Sequence, residues 1–392
     1  MMEKTATITP AVVKDFQTAD VTLISGGHFI HDVYTAFMAP LLPEIIRTLH
    51  ISLTQAGALS AAMQVPSLLN PLIGYLDDRR NLRLGMILAP GITATLLSSI
   101  GLAPNYASLM FLLLIAGLSI AAFHATAPAR LGRISGKNIG RAMSFFMGGG
   151  ELGRSVGPLV AVWAVATLSL KGMIPLAVAG WTASLVLWLR FGRLDPTQIH
   201  YQRPNGLIPN AFRFFFPVTI IVLLRGLIIS GLGNYLPTLL STEGANLFTS
   251  GGALALYQFA GTAGAVFGGT LSDRFGRRRV LAFSMGGASL LLLVFLRSSG
   301  WFSIPILVCM GLFNLTLQPI MLALVQDTFP EHRSTANGTY MALSFISYSV
   351  GSIVVGALGD HLGLRTAFGW CAFLSMFAIP ILLALPRSVK HQ

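Results

Sequence analysis

The sequence predicts an all-α integral membrane protein of twelve spanning helices arranged as two six-helix halves. Three observations carry that expectation. Of 392 residues, 54% are hydrophobic and 10% charged, against about a quarter charged in ordinary soluble chains, and mean hydropathy is +0.71. The apolar residues come in successive blocks of roughly 20, long enough to cross a hydrocarbon core as helix and too continuous for the alternation of a membrane barrel. Two short patterns also recur at nearly one spacing. Gly74-x-Leu76-x-Asp78-Arg79 returns 195 residues on as Gly269-x-Leu271-x-Asp273-Arg274, and Ser155-Val156-Gly157 returns 194 residues on as Ser349-Val350-Gly351. Duplicated halves of this kind place a binding site at their interface near mid-membrane.

Apolar blocks between polar breaks put the spans near 21–43, 52–76, 82–102, 106–130, 140–167, 172–190, 214–241, 248–271, 280–297, 302–326, 334–358 and 363–386. The longest polar interruption, with Pro196, Pro204, Asn205 and Gly206, divides the chain into a first bundle (1–190), a linker (191–213) and a second bundle (214–392). With both termini on one side, the loops and termini of that side hold 20 of the 26 Lys and Arg residues. The opposite side holds four: Arg47, Lys171, Arg297 and Arg365. Such a bias places both termini in the cytoplasm. The first 20 residues are polar and of mixed charge, without the basic-then-apolar pattern of a cleaved signal, so the first span is expected to direct membrane insertion.

The same distribution bears on function. A net charge of +12 in a soluble chain would suggest nucleic acid, but here the basic residues flank apolar blocks and no nucleic-acid partner is expected. Cys309 and Cys371 both fall inside spans as packed thiols, with neither a disulfide nor a metal site expected from them. An intramembrane enzyme is also disfavoured: eight scattered histidines do not supply a di-iron set, and no nucleophile and base stand together for a protease. No cofactor is expected.

Ionisable side chains within spans are costly and mark function by default. His28, His31 and Asp32 share one face of the first span at i, i+3 and i+4. Asp32 is a candidate proton carrier with the two histidines beside it; the alternative is a fixed packing pair. In the fifth span Glu151 and Arg154, three apart, either pair permanently or take part in coupling and solute binding. Gly148, Gly149, Gly150, Gly153 and Gly157 in that span allow close helix approach or bending, and Pro158 removes a backbone donor. Arg225 is the one embedded charge of the second half, permanently cationic, and it suits a carboxylate, phosphate or phosphonate; the alternative is a partner for Asp32 or Glu151. Together Asp32, Glu151, Arg154 and Arg225 sum to zero. Further candidates for solute contact are His124, Asn234, Tyr257, Gln258, Asn314 and Gln318.

The loop pattern after the second and eighth spans resembles the signature of the major facilitator superfamily. The second copy continues with Gly276, Arg277 and Arg278, whereas the first has Asn81 and Leu82 where Gly and Arg are usual. Gly153-x-x-x-Gly157-Pro158 resembles part of the drug/proton antiporter motif, with Phe146 and Ala161 at outlying glycine positions. Gly27-His28-Phe29, Asp32, Leu42-Pro43, Phe123-His124 and Gly149-Gly150-x-Leu152-Gly153 resemble the fosmidomycin-resistance branch, in which neutral residues are expected in place of Glu151 and Arg154. The resemblance implies a secondary transporter in the bacterial inner membrane, working by alternating access. It further implies proton-coupled efflux of a small amphiphilic or anionic compound, with gating at Asp78, Arg79, Asp273, Arg274, Gly157 and Pro158. A twelve-helix unit with its own cavity can act as a monomer. Two alternatives stay open: proton-driven uptake of a small organic anion clamped by Arg154 and Arg225, and transition-metal transport on His28, His31, Asp32 and His124.

Overall fold

The computed structural model describes residues 16–80, 82–135, 138–193, 211–329 and 332–385, and these are helical with no strand among them. The helices are α1 (Thr18–Thr35), α2 (Met38–Leu49), α3 (Leu53–Gln64), α4 (Asn70–Arg80), α5 (Arg83–Ser98), α6 (Tyr106–Ile134), α7 (Ile139–Leu168), α8 (Ala177–Phe191), α9 (Ala211–Ser230), α10 (Leu236–Thr242), α11 (Leu247–Phe275), α12 (Arg277–Phe295), α13 (Ser303–Thr328), α14 (Arg333–Leu362), α15 (Leu364–Met376) and α16 (Ala378–Ala384). Each expected block holds helix. The greater part of the expected linker, 194–210, lies outside the described residues.

Among the described residues seven segments are long and apolar enough to cross a bilayer: Tyr106–Gly132, Leu170–Phe191, Ala211–Thr242, Arg277–Phe295, Gly300–Thr328, Thr335–Leu362 and Leu364–Leu383. The remaining blocks are broken, short or diluted by polar and glycine residues, and proline accounts for several of the breaks. A proline lacks its N–H and crowds the carbonyl four residues back. Pro40 stands four residues beyond Ala36, where α1 gives way to α2. Pro380 stands four beyond Met376, the last residue of α15. Pro66 lies in the 3₁₀ turn Val65–Leu69 that interrupts the second block, and Pro237 follows a π-helical turn, Gly231–Tyr235, between α9 and α10. By contrast α7 and α11 are continuous, but Glu151, Arg154 and the glycines of α7 and the glycines of α11 lower their hydropathy.

Large apolar side chains cover the outside of the bundle, among them Phe212, Leu189, Phe283, Phe267 and Val178, each at least 67% exposed. An exterior this apolar fits lipid contact and would be unusual against water. Inside, one apolar cluster draws only on residues 21–191, a second only on 214–385, and the third and largest runs through both parts of the chain. The two parts meet where α3 packs on α14, α7 on α11 and α2 on α10.

Candidate functional site

The first site is assembled where α1 lies against α7. Gly149, Gly153 and Gly157 form a stripe on α7, and a Cβ at these positions would run into the carbonyls of Ser25, Phe29 and Val33 on α1. A Cβ on Gly150 would enter the His28 ring and the Asp32 carboxylate. Of the five glycines expected to allow close approach or bending, Gly149, Gly150, Gly153 and Gly157 lie against α1 whereas Gly148 has open space beside it, and the approach brings Arg154, with Glu151 paired to it, onto the charged face of α1.

Asp32 is fully buried at the centre of that contact. His31 Nδ1 stands 2.9 Å from Oδ1, His124 Nε2 3.4 Å from Oδ1, His28 Nε2 3.3 Å from Oδ2, and Arg154 Nη1 donates to Oδ2 at 3.1 Å. The Arg154 guanidinium also pairs with Glu151. Each buried imidazole is fixed by a stacking ring, His28 on Phe146 at 3.9 Å and His31 on Phe123 at 4.4 Å between centroids.

Hydrogen bonding then assigns the protons. The carbonyl of Phe146 can only accept, so His28 Nδ1, 2.8 Å away, carries a hydrogen. In the neutral ring Nε2 would then aim a lone pair at a carboxylate oxygen, and this atom is buried without a hydrogen-bond partner. In that tautomer the 3.3 Å gap between His28 Nε2 and Asp32 Oδ2 holds no hydrogen. His31 Nε2 meets the Thr93 hydroxyl at 3.3 Å, which reaches Ser119 at 2.9 Å, so α5 and α6 hold the second ring in place. His28 and His31 are sealed, whereas the side chains of His124 and Arg154 are 30% and 36% exposed, so the cluster opens on that side. With neutral histidines, two carboxylates and one guanidinium leave it formally at −1.

The second site is a cavity of about 190 Å³ lined by Arg225, Gln318, Ser344, Phe345 and Tyr348 from the second half and by Gln64 of α3. Arg225 is 5% exposed, and its Nη1 donates to Gln318 Oε1 at 3.1 Å. That oxygen also accepts from Tyr340 at 3.2 Å. Among the described residues Arg225 forms no ion pair, and its Nε is buried without a hydrogen-bond partner. A buried cation in this position is expensive unless a partner arrives.

A helical membrane bundle with an interior cavity and few, clustered charges is the architecture of a transporter. The sequence model of the Major Facilitator Superfamily matches residues 24–296 and 218–392. The chain belongs to the major facilitator superfamily. It is similar to the fosmidomycin resistance protein of Escherichia coli (strain K12), 23% identical over 379 residues, which cover 94% of this chain and 93% of that one. It is also similar to YfnC, an uncharacterised MFS-type transporter of Bacillus subtilis (strain 168), 25% identical with 94% and 93% covered. Among solved structures, a bacterial homologue of the human lysosomal transporter Spinster, inward-facing and occupied, superposes with a TM-score of 0.78 at 13% identity over 94% of this chain and 96% of that one. A D-xylose–proton symporter gives 0.77 at 12% identity, with 95% and 99% covered. The protein is thus a multi-pass membrane transporter and not an enzyme.

Within this major facilitator fold the expected residues separate into groups. His28, His31, Arg154 and also His124, expected as a solute contact, converge on Asp32, and Glu151 joins through Arg154. Arg225 and Gln318 line the cavity. Asn234 is held between the Tyr348 hydroxyl (2.9 Å) and Ser352 (2.6 Å), and Asn314 donates to Tyr257 at 2.6 Å. These three, with partly buried Gln258, are not among the residues lining the cavity. Arg154, expected to clamp an anion together with Arg225, is already engaged by Asp32 and Glu151.

At the loops, the side chains of Asp78 and Arg79 lie outside the described residues. Asp273 pairs with Arg277 at 3.1 Å rather than with its neighbour Arg274, and Arg277 also takes Asp327. The metal alternative gathers only in part. Donor atoms of His28, Asp32 and His124 lie within 4.8 Å of one another, but His31 Nε2 turns to Thr93, and Arg154 already supplies the positive charge an ion would bring. Sequence reading did not assign Phe146, Thr93, Gln64 or Tyr348 to a site; which neutral side chains of a span face a site depends on how the helices pack.

Proposed function

We propose that this protein is a proton-coupled transporter of small amphiphilic anions, with the proton at the Asp32 cluster and the anion at Arg225. The observation that carries the reading is the pair of opposite, spatially separate formal charges. One buried cluster is one proton short of neutrality, and one buried cation lacks a carboxylate. Each is costly alone, and each is relieved by the ligand assigned to it. Phe345, Tyr348 and Met341 give the anion an apolar wall, and a cavity only modestly larger than one of about 150 Å³ that holds benzene favours a small solute.

In this reading all twelve blocks cross the bilayer, both termini are cytoplasmic, and the chain acts as a monomer in a bacterial inner membrane. Two six-helix bundles, 1–190 and 214–392, rock about the α3–α14 and α7–α11 contacts. Efflux is the leading direction, since a similar protein is named for resistance to fosmidomycin. Uptake by proton–anion symport is a second reading with an observation in its favour: with both ligands bound, both sites are neutral at once. Proton exchange by purified protein in weak buffer, titrated with anionic and cationic compounds, separates the two. Antiport expects the anion to expel a proton and symport expects it to draw one in, and Asp32→Asn abolishes either signal. An anion that binds wild type with no proton change would remove the coupling from the proposal and return Asp32 to a packing role.

A further inference from the structure

A third set of polar contacts, exposed at Asp360 and buried around Tyr235, lies outside both sites and ties the two halves of the chain together. α3 starts after Ser52, whose side chain caps Gln55 N–H at 3.1 Å, and this leaves the amides of Leu53 and Thr54 facing outward from the helix end. One carboxylate takes both. Asp360, near the end of α14, accepts from Leu53 N–H at 2.8 Å, from Thr54 N–H at 2.9 Å and from the Thr54 hydroxyl at 2.6 Å. The unpaired amides and the dipole of a helix N-terminus favour an anion. Here the anion comes from the opposite half, 306 residues along the chain.

Beside it, the fully buried Tyr235 hydroxyl stands between two carbonyls, 2.9 Å from Leu53 and 2.8 Å from Ser352. Packing is as tight as backbone allows. A Cβ on Gly57 would enter the Ser352 carbonyl and the tyrosine hydroxyl, and a Cβ on Gly356 would enter the Leu53 carbonyl. Tyr235 closes the π-helical turn Gly231–Tyr235, and the same span carries Arg225 two to three turns earlier. π turns of this kind are frequent at functional sites.

We propose that Asp360 and Tyr235 form the latch of the extracellular gate: their bonds to the start of α3 hold the cavity shut on that side, and their release admits exchange with the outside. Only the choice of side rests on the orientation given under Proposed function; the latch itself depends on neither the anion nor the proton. At the other ends of the helices, the ion pairs Asp20–Arg190, Asp273–Arg277 and Asp327–Arg277 among the described residues each stay within one half. Its strength suits a gate. Asp360 is exposed, so the cap is a modest contact that a working cycle can break and remake, while the sealed tyrosine gives the closed state its fit.

The test is the rate at which a membrane-impermeant maleimide, added outside intact cells, labels Ser344→Cys on the cavity wall. The parent chain, with its two cysteines, serves as the blank. Asp360→Asn and Tyr235→Phe are each expected to raise that rate about 3- to 10-fold, because loss of a cap or one hydrogen bond shifts a gating equilibrium by about that factor. Thr54→Val, which removes only one hydroxyl bond, is expected to give a smaller rise in the same direction and guards against misfolding of the stronger variants. An unchanged rate in all three, with each protein present in the membrane at the wild-type amount, overturns the latch. A rise seen only from the cytoplasmic face in inside-out vesicles overturns its extracellular assignment. Labelling reads neither solute nor proton, so failure of the transport reading leaves this result standing, and the reverse.

Discussion

The two buried sites are built in opposite ways. Around Asp32 almost every polar atom has a partner: three imidazoles, one guanidinium, a backbone carbonyl and a hydroxyl relay surround a single carboxylate. Around Arg225 the partners are neutral and few, and part of the guanidinium has none. The first arrangement is rigid, and in the proposed reading its two states differ by a proton, which needs almost no room. The second leaves space and an unbalanced charge, which is what a solute of variable shape requires. A network already complete resists a bulky ligand, and a lone cation in an open cavity cannot hold a proton. The division of labour proposed here rests on the packing of each site.

The most damaging change should therefore be in the complete network. Asp32→Asn keeps the shape but strands Arg154 and the histidines, and removing one partner of a buried pair costs about 3 kcal/mol or more. Proton-coupled flux should fall at least about 100-fold. Flux in reconstituted vesicles, with and without a pH gradient, checks this; a variant that still follows the gradient would place the proton elsewhere.

Arg225→Ala should act on affinity alone. Hydrogen bonds to a charged group are worth about 1.5–3 kcal/mol, so binding of an anion, followed by calorimetry, should weaken about 10- to 100-fold. Arg225→Lys should recover part of the loss, because it restores the charge without the planar fork. Equal weakening for anionic and neutral compounds would show that the cavity selects by shape, and the contrast between the sites would lose its electrostatic basis.

How far this contrast was legible beforehand differs between the sites. Helical spacing placed His28, His31 and Asp32 on one face, and a glycine stripe on the fifth span announced close contact, so the first site could be read from two segments. That His124 joins it depends on how α6 turns toward α1, which no local pattern records. The four charges that sum to zero suggested one shared network. The fold instead gives Arg154 two carboxylates and leaves Arg225 none, because partner choice is decided by helix packing. The expected spans ran unbroken through Pro40, Pro66 and Pro380, near which the structure interrupts them, and the π turn ahead of Pro237 and the carboxylate of Asp360 on α3 arise only when distant segments meet.

A packing change tests whether the rigidity of the first site matters by itself. Gly153→Ala places a methyl group against the Phe29 carbonyl, and overpacking of this kind costs about 1–3 kcal/mol. In a chain of this size that lowers the thermal midpoint by a few degrees. Coupling should loosen as α1 and α7 separate, while calorimetric affinity at Arg225 is retained. Loss of affinity with coupling intact would reverse the roles assigned to the two halves.

The smallest effect is expected at the opening of the cluster. His124 is the partly exposed imidazole on Asp32 and its contact, at 3.4 Å, is the longest of the set. His124→Gln keeps a polar group there but cannot carry a proton. If His124 passes protons between the cavity and the sealed pair, the rate of proton exchange should drop about 2- to 10-fold, the worth of one ordinary hydrogen bond. The number of protons moved per anion should stay the same, because Asp32, His28 and Arg154 remain. Stopped-flow measurement with a pH-sensitive dye resolves rate from amplitude. A changed amplitude would make His124 part of the proton site itself, and the boundary between sealed network and open cavity would then run through α6 rather than beside it.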